Sequence, residues 1–425
     1  MAPVTPVPRP QTRSFAAPSD DDPSPRSEGA LLVVTNVLSH YRVPLFQALS
    51  DELDVRFVFF SDGQEQYWRN GNSPLGGLSG KVLPGRWVGR TRIPRGLVGE
   101  ITSGEHDVVV KCINGKVALP VAYLAARFSG RRFVLWTGIW QHPRARLHRL
   151  SAPLVRAIYR RADAVLTYGR HVSRYLEEQG VDPSRVRVAV QAVDLDIFRS
   201  ETRAPRTPAD GPAQLLYVGR LETAKGPQVL LEAVANLIER GHDVRCTFVG
   251  EGPLGPSLRQ RVDQLGIAEQ VRFAGRVPNP ELPATYRSAD VTVVPSILTD
   301  DFAEPWSLAV NEAMGCGSLV VASTAVGAVR DGLVSDGRTG LTFAWGDVGA
   351  LTDALAAALT DPTRSAELAE AGRNEVQRYS YRHAAAAFVQ AAELARTRGR
   401  RSARPSRTPR PLRRMAVSTK RDACR

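Results

Sequence analysis

The stretch Leu-Leu-Tyr-Val-Gly-Arg-Leu-Glu-Thr-Ala-Lys-Gly-Pro, residues 215–227, decides the fold class. Its first five residues are typical of a buried strand, and an amphipathic helical pattern follows from Gln228 to Glu239. Between strand and helix, Arg220 and Lys225 bracket a short loop that contains glycine. Such a unit predicts a parallel α/β sheet, which binds its ligands at the carboxyl ends of the strands.

The same alternation of strand and helix continues in both directions along the chain. Predicted strands cover residues 31–35, 55–60, 107–111, 133–136, 164–167 and 186–190, and then residues 215–219, 245–250, 271–275, 291–295, 319–323 and 340–343. The proline-rich segment 201–212 offers no substantial core residue and is predicted to be a linker. We therefore expect an α/β protein in which two doubly wound Rossmann-like domains, residues 29–200 and 213–380, face each other across a cleft.

Both ends of the chain differ in composition from this body. Residues 1–28 contain seven prolines and no apolar stretch of signal-peptide length, so we expect a disordered segment without a secretion signal. A C-terminal helix is predicted over residues 381–395, with the option that it packs back on the first domain. The remaining residues, 396–425, are predicted to form a basic disordered tail.

The positive charge is concentrated in that tail. The chain has a net charge of +13, and residues 396–425 contribute +11 of it. A folded nucleic-acid binder carries such charge on its folded surface, so nucleic acid is not an expected partner. The tail is either a solvated end or a segment attracted to anionic lipid.

Composition excludes several other classes of protein. With 43% apolar residues the chain can bury a sizeable core. Its four cysteines are widely scattered and form no CxxC pair, which argues against a disulfide scaffold or a zinc site. No run of about 18 apolar residues occurs, so we expect no transmembrane helix and a cytoplasmic protein, with peripheral contact to the inner face of the cell membrane as a further option.

The stretch Glu-Pro-Trp-Ser-Leu-Ala-Val-Asn-Glu-Ala-Met-Gly, residues 304–315, carries two carboxylates eight residues apart. Pro305 indicates a helix that starts at Glu304. In a continuous helix, Glu304 and Glu312 would lie about 12 Å apart along the axis and on neighbouring faces. They could then hold two hydroxyl-rich ends of one elongated ligand. Solvated surface carboxylates are the alternative, which the apolar neighbours disfavour because a glutamate among them needs a partner.

Five segments in order carry a family resemblance: residues 217–226, 249–253, 271–275, 304–314 and 336–340. They resemble the signature of the retaining, nucleotide-sugar-dependent glycosyltransferases of family 4, the "glycosyl transferases group 1", whose fold is GT-B. Residues 194–198 also resemble the interdomain segment of that family. The resemblance is dense from about residue 185 to residue 343 and diffuse before that.

The resemblance implies a role for each residue of the predicted site. Arg220 and Lys225 would hold the donor diphosphate, Glu312 would accept the ribose hydroxyls, and the backbone near Val277 would meet the base. Glu304 would contact the donor sugar, so that Glu304, Arg220 and Lys225 form the catalytic set. The further donor-binding residues that it implies are Gly219, Gly250, Pro305, Trp306, Ser307 and Leu308. It implies transfer by front-face displacement, no metal, and no cofactor besides the nucleoside-diphosphate sugar as co-substrate.

The chain departs from the family pattern at three places. Trp306-Ser307 stands where Phe-Gly is common, and residues 36–46 replace the glycine-rich loop that usually follows the first strand. The histidine often found after a central strand is missing, with His142 as its nearest replacement. His40, Tyr41 and His142 are the acceptor-side candidates, and a structural role is open for each histidine.

We therefore expect an enzyme that moves a hexosyl or related sugar from a nucleoside-diphosphate sugar to a glycan, lipid-linked or small-molecule acceptor. One alternative is a nucleotide-sugar epimerase of similar fold, and another is a catalytically idle scaffold subunit. A basic, amphipathic stretch in the first domain, residues 144–161, could lie on an anionic bilayer or could pack its apolar side into the core.

Overall fold

The computed structural model describes residues 29–61, 77–89, 91–141, 146–199 and 211–402, and for residues 146–150 and 399–402 the backbone alone. The predicted N-terminal segment 1–28, almost all of the linker 201–212 and the tail from residue 403 lie outside the described residues. His142, an acceptor-side candidate, lies outside them as well.

The strands are β1 (Ala30–Thr35), β2 (Asp54–Phe59), β3 (Gly80–Val82), β4 (Gly85–Val88), β5 (Thr91–Pro94), β6 (His106–Cys112), β7 (Arg132–Thr137), β8 (Ala164–Thr167), β9 (Val186–Val188), β10 (Ala213–Val218), β11 (Val244–Val249), β12 (Val271–Gly275), β13 (Val291–Val294), β14 (Leu319–Ser323) and β15 (Leu341–Phe343). The helices are α1 (Val43–Glu52), α2 (Leu97–Thr102), α3 (Ala118–Phe128), α4 (Arg146–Arg161), α5 (Arg170–Glu178), α6 (Pro227–Glu239), α7 (Gly255–Leu265), α8 (Leu282–Ser288), α9 (Leu308–Gly315), α10 (Gly327–Asp331), α11 (Val348–Thr360), α12 (Pro362–Val376) and α13 (Tyr381–Ser402).

Two parallel sheets organise these elements. The first has the order β3-β2-β1-β6-β7-β8-β9, and the second has the order β12-β11-β10-β13-β14-β15. In each sheet the chain builds outward from its first strand and then returns to that strand's other side, so β1 meets β6 and β10 meets β13. Ligands of doubly wound sheets bind at such a reversal, outside the carboxyl ends of the strands. The predicted α/β fold class is confirmed.

Helices cover both faces of the second sheet, which explains why its strands read as continuous apolar runs. Along β14, Leu319 and Val321 belong to one core cluster, whereas Val320 and Ala322 belong to the cluster on the opposite face. All four side chains are almost fully buried. The alternation follows from the two-residue period of a strand.

A two-stranded antiparallel sheet, β4 with β5, was not predicted from the sequence. Its strands are short, and Trp87 and Val88 are exposed by 45% and 52%. Because the hairpin buries little apolar surface, its sequence shows no clear alternation of apolar and polar residues.

The last helix, α13, packs on the first sheet although it follows the second in sequence. Phe388 is fully buried, and its ring meets the ring of Trp136 on β7 in an edge-to-face contact with centroids 5.0 Å apart. The first domain therefore consists of the first sheet, α1–α5 and α13, and the second domain of the second sheet and α6–α12.

This helix is longer than expected, so the prediction of a disordered tail is wrong for residues 396–402. Two carboxylates of the first domain explain the extension. Arg396 binds Asp107 through two hydrogen bonds of 2.6 and 2.9 Å, and Arg398 reaches Asp182 at 3.4 Å. Among the described helices, none combines the length and apolar character needed to cross a membrane.

Candidate functional site

The loop between β10 and α6 carries the two predicted cations to the reversal of the second sheet. After Gly219 the chain makes a short turn, Thr223–Lys225, and Gly226 then takes a positive φ of 69° before α6 begins. A Cβ atom at Gly226 would collide with the carbonyl oxygen of Pro295, at the end of β13. Glycine therefore allows the loop to lie directly on the neighbouring strand exit.

Lys225 and Glu304 meet at this point. The Lys225 ammonium donates a hydrogen bond to the Glu304 carboxylate, and the Ser296 hydroxyl donates to the same oxygen at 3.2 Å. Glu304 is buried, with 5% of the residue exposed, and Nζ of Lys225 also lies 5.5 Å from the centre of the Phe302 ring. The structure thus brings together a cation and a carboxylate at a contact where the carboxylate is buried and 22% of the Lys225 side chain is exposed.

Arg220 is placed differently from Lys225. Its guanidinium binds Glu222 at 2.7 Å, and 42% of its side chain is exposed. The Arg220 carbonyl accepts a hydrogen bond of 2.7 Å from the buried Tyr217 hydroxyl. Burial and the nearby Glu304 carboxylate raise the pKa of Tyr217 well above its usual value, so this hydroxyl stays protonated and holds the loop.

Hydrogen bonds also join the exits of β10, β11 and β12. The Gly219 amide donates to the Val249 carbonyl at 3.0 Å, and the Gly250 amide donates to the Gly275 carbonyl at 2.7 Å. Gly250 has a positive φ of 130°, and a Cβ atom there would collide with the Gly219 carbonyl oxygen. Val277, two residues after β12, is half-buried.

The predicted helix start at Glu304 is wrong, because α9 begins at Leu308. The carbonyls of Glu304 and Trp306 accept hydrogen bonds from the Gly327 and Ala328 amides, at 3.1 and 3.2 Å, so they are not available to a helix. Ser307 has a φ of 79°, which ends the loop and turns the chain into α9. The two glutamates therefore do not lie on one helix.

Glu312 lies on α9 and is held by a residue that the sequence did not indicate. The Tyr286 hydroxyl donates a hydrogen bond of 2.6 Å to its carboxylate. Burial raises the pKa of Glu312, and this hydrogen bond opposes the rise. Tyr286 lies in the apolar pattern of α8, so no local feature of the sequence marks it as a site residue.

Trp306 has a structural side chain. It is 3% exposed, and its ring N–H donates to the Asn311 side chain at 2.7 Å. The Asn311 amide in turn donates to the Gln191 carbonyl, at 2.9 Å, in the segment that follows β9. A ligand at this loop could therefore contact the Trp306 backbone but little of its ring, whereas Pro305, Ser307 and Leu308 are partly exposed.

The acceptor-side candidates His40 and Tyr41 precede α1, near the exit of β1. Their rings meet edge to face, with centroids 5.5 Å apart, and His40 is exposed. Partial burial and the positive charge of Arg276 lower the pKa of His40. Because Arg276 belongs to the second domain, His40 lies within electrostatic reach of that domain.

A polar cluster that the sequence did not indicate lies behind these candidates. Lys111 is fully buried at the end of β6, and its ammonium donates to the backbone and side-chain oxygens of Asn114 at 2.8 and 3.2 Å. Burial lowers the pKa of Lys111 to about 7. Arg42 donates to the Tyr168 hydroxyl at 2.7 Å and lies 4.5 Å from the Trp136 ring centre. Among the described residues, no three acidic, histidine or cysteine side chains are grouped to hold a metal ion.

Two family models match the chain, one after the other. The model described as Glycosyltransferase Family 4 matches residues 37–197, and the model described as Glycosyl transferases group 1 matches residues 198–375. Together they cover the second sheet, every strand of the first sheet except β1, and the Glu304 loop. The chain belongs to the family 4 glycosyltransferases.

Curated relatives agree with this assignment. The D-inositol 3-phosphate glycosyltransferase 2 of Catenulispora acidiphila is 36% identical over 231 residues, which are 51% of this chain and 52% of that protein. The corresponding enzyme of Frankia alni is 37% identical over 206 residues, 44% of this chain and 48% of that protein. The chain thus spans about half the length of the curated relatives that it matches.

The solved structures extend the likeness over most of the chain. Anabaena HepE in complex with UDP and glucose has a TM-score of 0.67 at 19% identity, covering 86% of this chain and all of that one. Sucrose-phosphate synthase from Thermosynechococcus elongatus has a TM-score of 0.69 at 21% identity, with 87% and 100% covered. With the two doubly wound sheets, these likenesses show the GT-B fold.

Proposed function

We propose that this protein transfers a sugar from a nucleoside-diphosphate sugar to a hydroxyl-bearing acceptor, with retention of configuration and without a metal ion. The observation that carries the proposal is the meeting of Lys225 and Glu304 at the reversal between β10 and β13. Lys225 supplies a cation for the diphosphate, and Glu304 supplies a carboxylate for the sugar hydroxyls. The two lie side by side at the position where doubly wound sheets bind ligands.

The charged side chains of the site bind different parts of the donor in this reaction. Lys225, with Arg220 after a change of partner, neutralises the diphosphate and stabilises the charge that develops on the leaving nucleoside diphosphate. Glu304 accepts hydrogen bonds from the donor sugar, and Glu312 accepts them from the ribose. The base lies against the backbone near Val277.

The covalent step exchanges one bond to the anomeric carbon for another. The bond between that carbon and the diphosphate oxygen breaks, and a bond to the acceptor oxygen forms on the same face of the sugar. The acceptor proton passes to the departing phosphate oxygen, so the leaving group itself serves as the base. No cofactor takes part.

The relatives suggest which donors and acceptors to test first. The solved structure of Anabaena HepE holds UDP and glucose, and the curated relatives are named for D-inositol 3-phosphate. UDP-sugars are therefore the first donors and inositol phosphates the first acceptors that we propose, followed by glycans and lipid-linked sugars. Contact with an anionic membrane and a cytoplasmic location stay predictions.

The test measures release of nucleoside diphosphate from UDP-, GDP- and ADP-sugars, with and without acceptor, in the presence of EDTA. We expect one donor to be consumed only with acceptor, and the product to show the donor's anomeric configuration by NMR. Glu304→Gln should nearly abolish turnover, whereas the exposed Glu281→Gln, the same chemical change, should not.

Three outcomes would contradict the proposal. Nucleotide binding without turnover of any donor would favour an idle scaffold subunit. An epimerised sugar would favour the epimerase alternative. A product of inverted anomeric configuration would show that the protein is a glycosyltransferase but that it does not retain the configuration of the donor.

A further inference from the structure

Two side chains of the first domain reach the backbone that carries Glu304. Trp140 follows β7, and its ring N–H donates a hydrogen bond of 2.9 Å to the Glu304 carbonyl. His171 lies on α5, after β8, and its Nε2 is 3.1 Å from the Pro305 carbonyl oxygen. Because a carbonyl oxygen can only accept, His171 carries a proton on Nε2 and donates it here.

The same peptide is held from within the second domain. The Gly327 amide, at the start of α10, donates to the Glu304 carbonyl at 3.1 Å. A Cβ atom at Gly327 would collide with the Pro305 carbonyl oxygen and would lie 2.9 Å from Nε2 of His171. The missing side chain at Gly327 is therefore what lets His171 reach Pro305.

His171 also lies against an acidic side chain of the second domain. Its residue is 6% exposed, and Oδ1 of Asp331 lies 3.7 Å from its Nδ1. The Asp331 carboxylate also accepts the Arg170 amide, at the first residue of α5, and the Tyr379 hydroxyl at 3.3 Å. An acidic side chain of one domain thus caps a helix of the other.

Aromatic rings from the two domains are also in contact. The His171 ring lies between Trp140, at 6.3 Å between centroids, and Trp306, at 6.1 Å. The Arg330 guanidinium lies 4.9 Å from the Trp140 ring centre. The orientation of Trp140 and His171 is therefore determined by packing as well as by hydrogen bonds.

We propose that Trp140 and His171 are positioning residues for Glu304, an inference that rests on the proposed function. The Glu304 carboxylate is held by Lys225 and Ser296, but a donor diphosphate would compete for Lys225. The backbone anchors of Trp140 and His171 do not involve the carboxylate, so they persist in the donor complex. They hold Glu304 at a fixed position relative to the sugar. Because both residues belong to the first domain, this position depends on the contact between the two domains.

The test compares His171→Leu with His171→Gln, and Trp140→Phe with a matched control. Glutamine retains an N–H donor near the position of Nε2, whereas leucine has none. Trp87→Phe, on the exposed hairpin, makes the same change away from the site. We expect kcat to fall by about 10- to 100-fold in His171→Leu and Trp140→Phe, with most of it restored in His171→Gln.

Two further readouts separate positioning from a general structural role. Combined with Glu304→Gln, neither His171→Leu nor Trp140→Phe should lower kcat further, because all act through one carboxylate. By calorimetry, both variants should bind the free nucleoside diphosphate like the wild type. They should lose the extra affinity that the sugar adds in the intact donor.

The possible results distinguish a failure of the positioning role from a failure of the proposed function. Unchanged kcat and unchanged sugar-dependent affinity in His171→Leu and Trp140→Phe would overturn the inference while leaving the transferase intact. Multiplicative losses with Glu304→Gln would do so as well. A wild type that neither turns over nor binds any nucleotide sugar would overturn the proposed function, and the inference with it.

Discussion

Lys225 and Glu304 lie 79 residues apart in sequence and form an ion pair in the structure. The contact depends on the order of the second sheet, in which β13 returns to the side of β10. Each residue stands in a loop at the end of its strand, so the reversal brings the two loops together. At this partly buried contact each charge compensates the other.

Replacing Lys225 should weaken the binding of nucleoside diphosphate. Lys225→Met removes the charge that would meet the diphosphate, so affinity for nucleoside diphosphate should fall by about 10- to 100-fold in titration calorimetry. Lys116→Met, at an exposed position, should bind like the wild type. Equal affinity in both variants would show that the diphosphate does not contact Lys225.

Glu312 yields a prediction about pH. If its carboxylate accepts the ribose hydroxyls, Glu312→Gln should weaken nucleotide binding by about tenfold or more near pH 7. Burial raises the pKa of Glu312 above its ordinary 4.5. As the pH falls through that raised pKa, wild-type affinity should therefore approach that of the variant, because the wild type becomes protonated.

The same shift provides a control on folding. A carboxyl whose pKa is raised in the folded state favours the fold at low pH, and this contribution is lost as the pH rises through the folded-state pKa. Glu312→Gln should therefore be at least as stable as the wild type at pH 7. A loss of thermal stability in this variant would contradict the assignment of the pKa shift to burial.

The buried Lys111 should make the free energy of unfolding depend on pH. Burial lowers its pKa to about 7 from 10.5, so between these values the unfolded chain binds more protons than the folded one. The free energy of unfolding should thus rise with pH above 7, by up to about 1.4 kcal/mol per pH unit from this group.

The measurement is denaturant unfolding between pH 7 and about pH 8.5. Unfolded cysteines begin to titrate in this range, but their contribution to the slope is the same in the wild type and in both lysine variants. Lys111→Met should lack the contribution of Lys111 to the slope, and the exposed Lys116→Met should keep it. The comparison concerns the slope, so an overall loss of stability in Lys111→Met does not obscure it. Identical slopes in all three proteins would show that Lys111 titrates normally.

Phe388 tests the attachment of α13 to the first sheet. Phe388→Ala removes a fully buried ring next to Trp136 and should destabilise the first domain by about 3–5 kcal/mol. Hydrogen exchange should become faster in β7 and β8 and stay unchanged in β13 and β14. The same substitution at Phe128, which is 86% exposed, should change stability by about 0.5 kcal/mol or less.

Local patterns were sufficient to predict the loop that carries Lys225 and twelve of the thirteen strands in the two parallel sheets. The missing one is the short edge strand β3, which is mostly exposed. Buried parallel strands are short apolar runs, and each of the twelve predicted strands occurs within a few residues of its expected position. The hairpin of β4 and β5 escaped prediction because it buries too little surface to impose a pattern. The start of α9 was misplaced because Pro305 suits a first helical turn, whereas the loop carbonyls are bound by the α10 backbone.

The partners of the site residues could not be read from the sequence. Tyr286, Trp140 and His171 each contact the site across 26 to 164 residues of chain. Their side chains follow ordinary apolar or helical patterns, and nothing in their immediate neighbours indicates a polar contact. Lys111 was missed for a related reason, since a lysine at the end of a buried strand is recognisable only once the sheet order is known.

The return of α13 to the first sheet determines how the protein can be made. Phe388 belongs to the core of the first sheet, but the strands of that sheet are synthesised long before it. One apolar face of the first sheet therefore stays exposed while the ribosome synthesises the second domain. The first domain can therefore finish folding only after the whole second domain has been synthesised. A fragment that stops before Tyr381 should aggregate, and a circularly permuted chain that places α13 ahead of β1 should fold its first domain early.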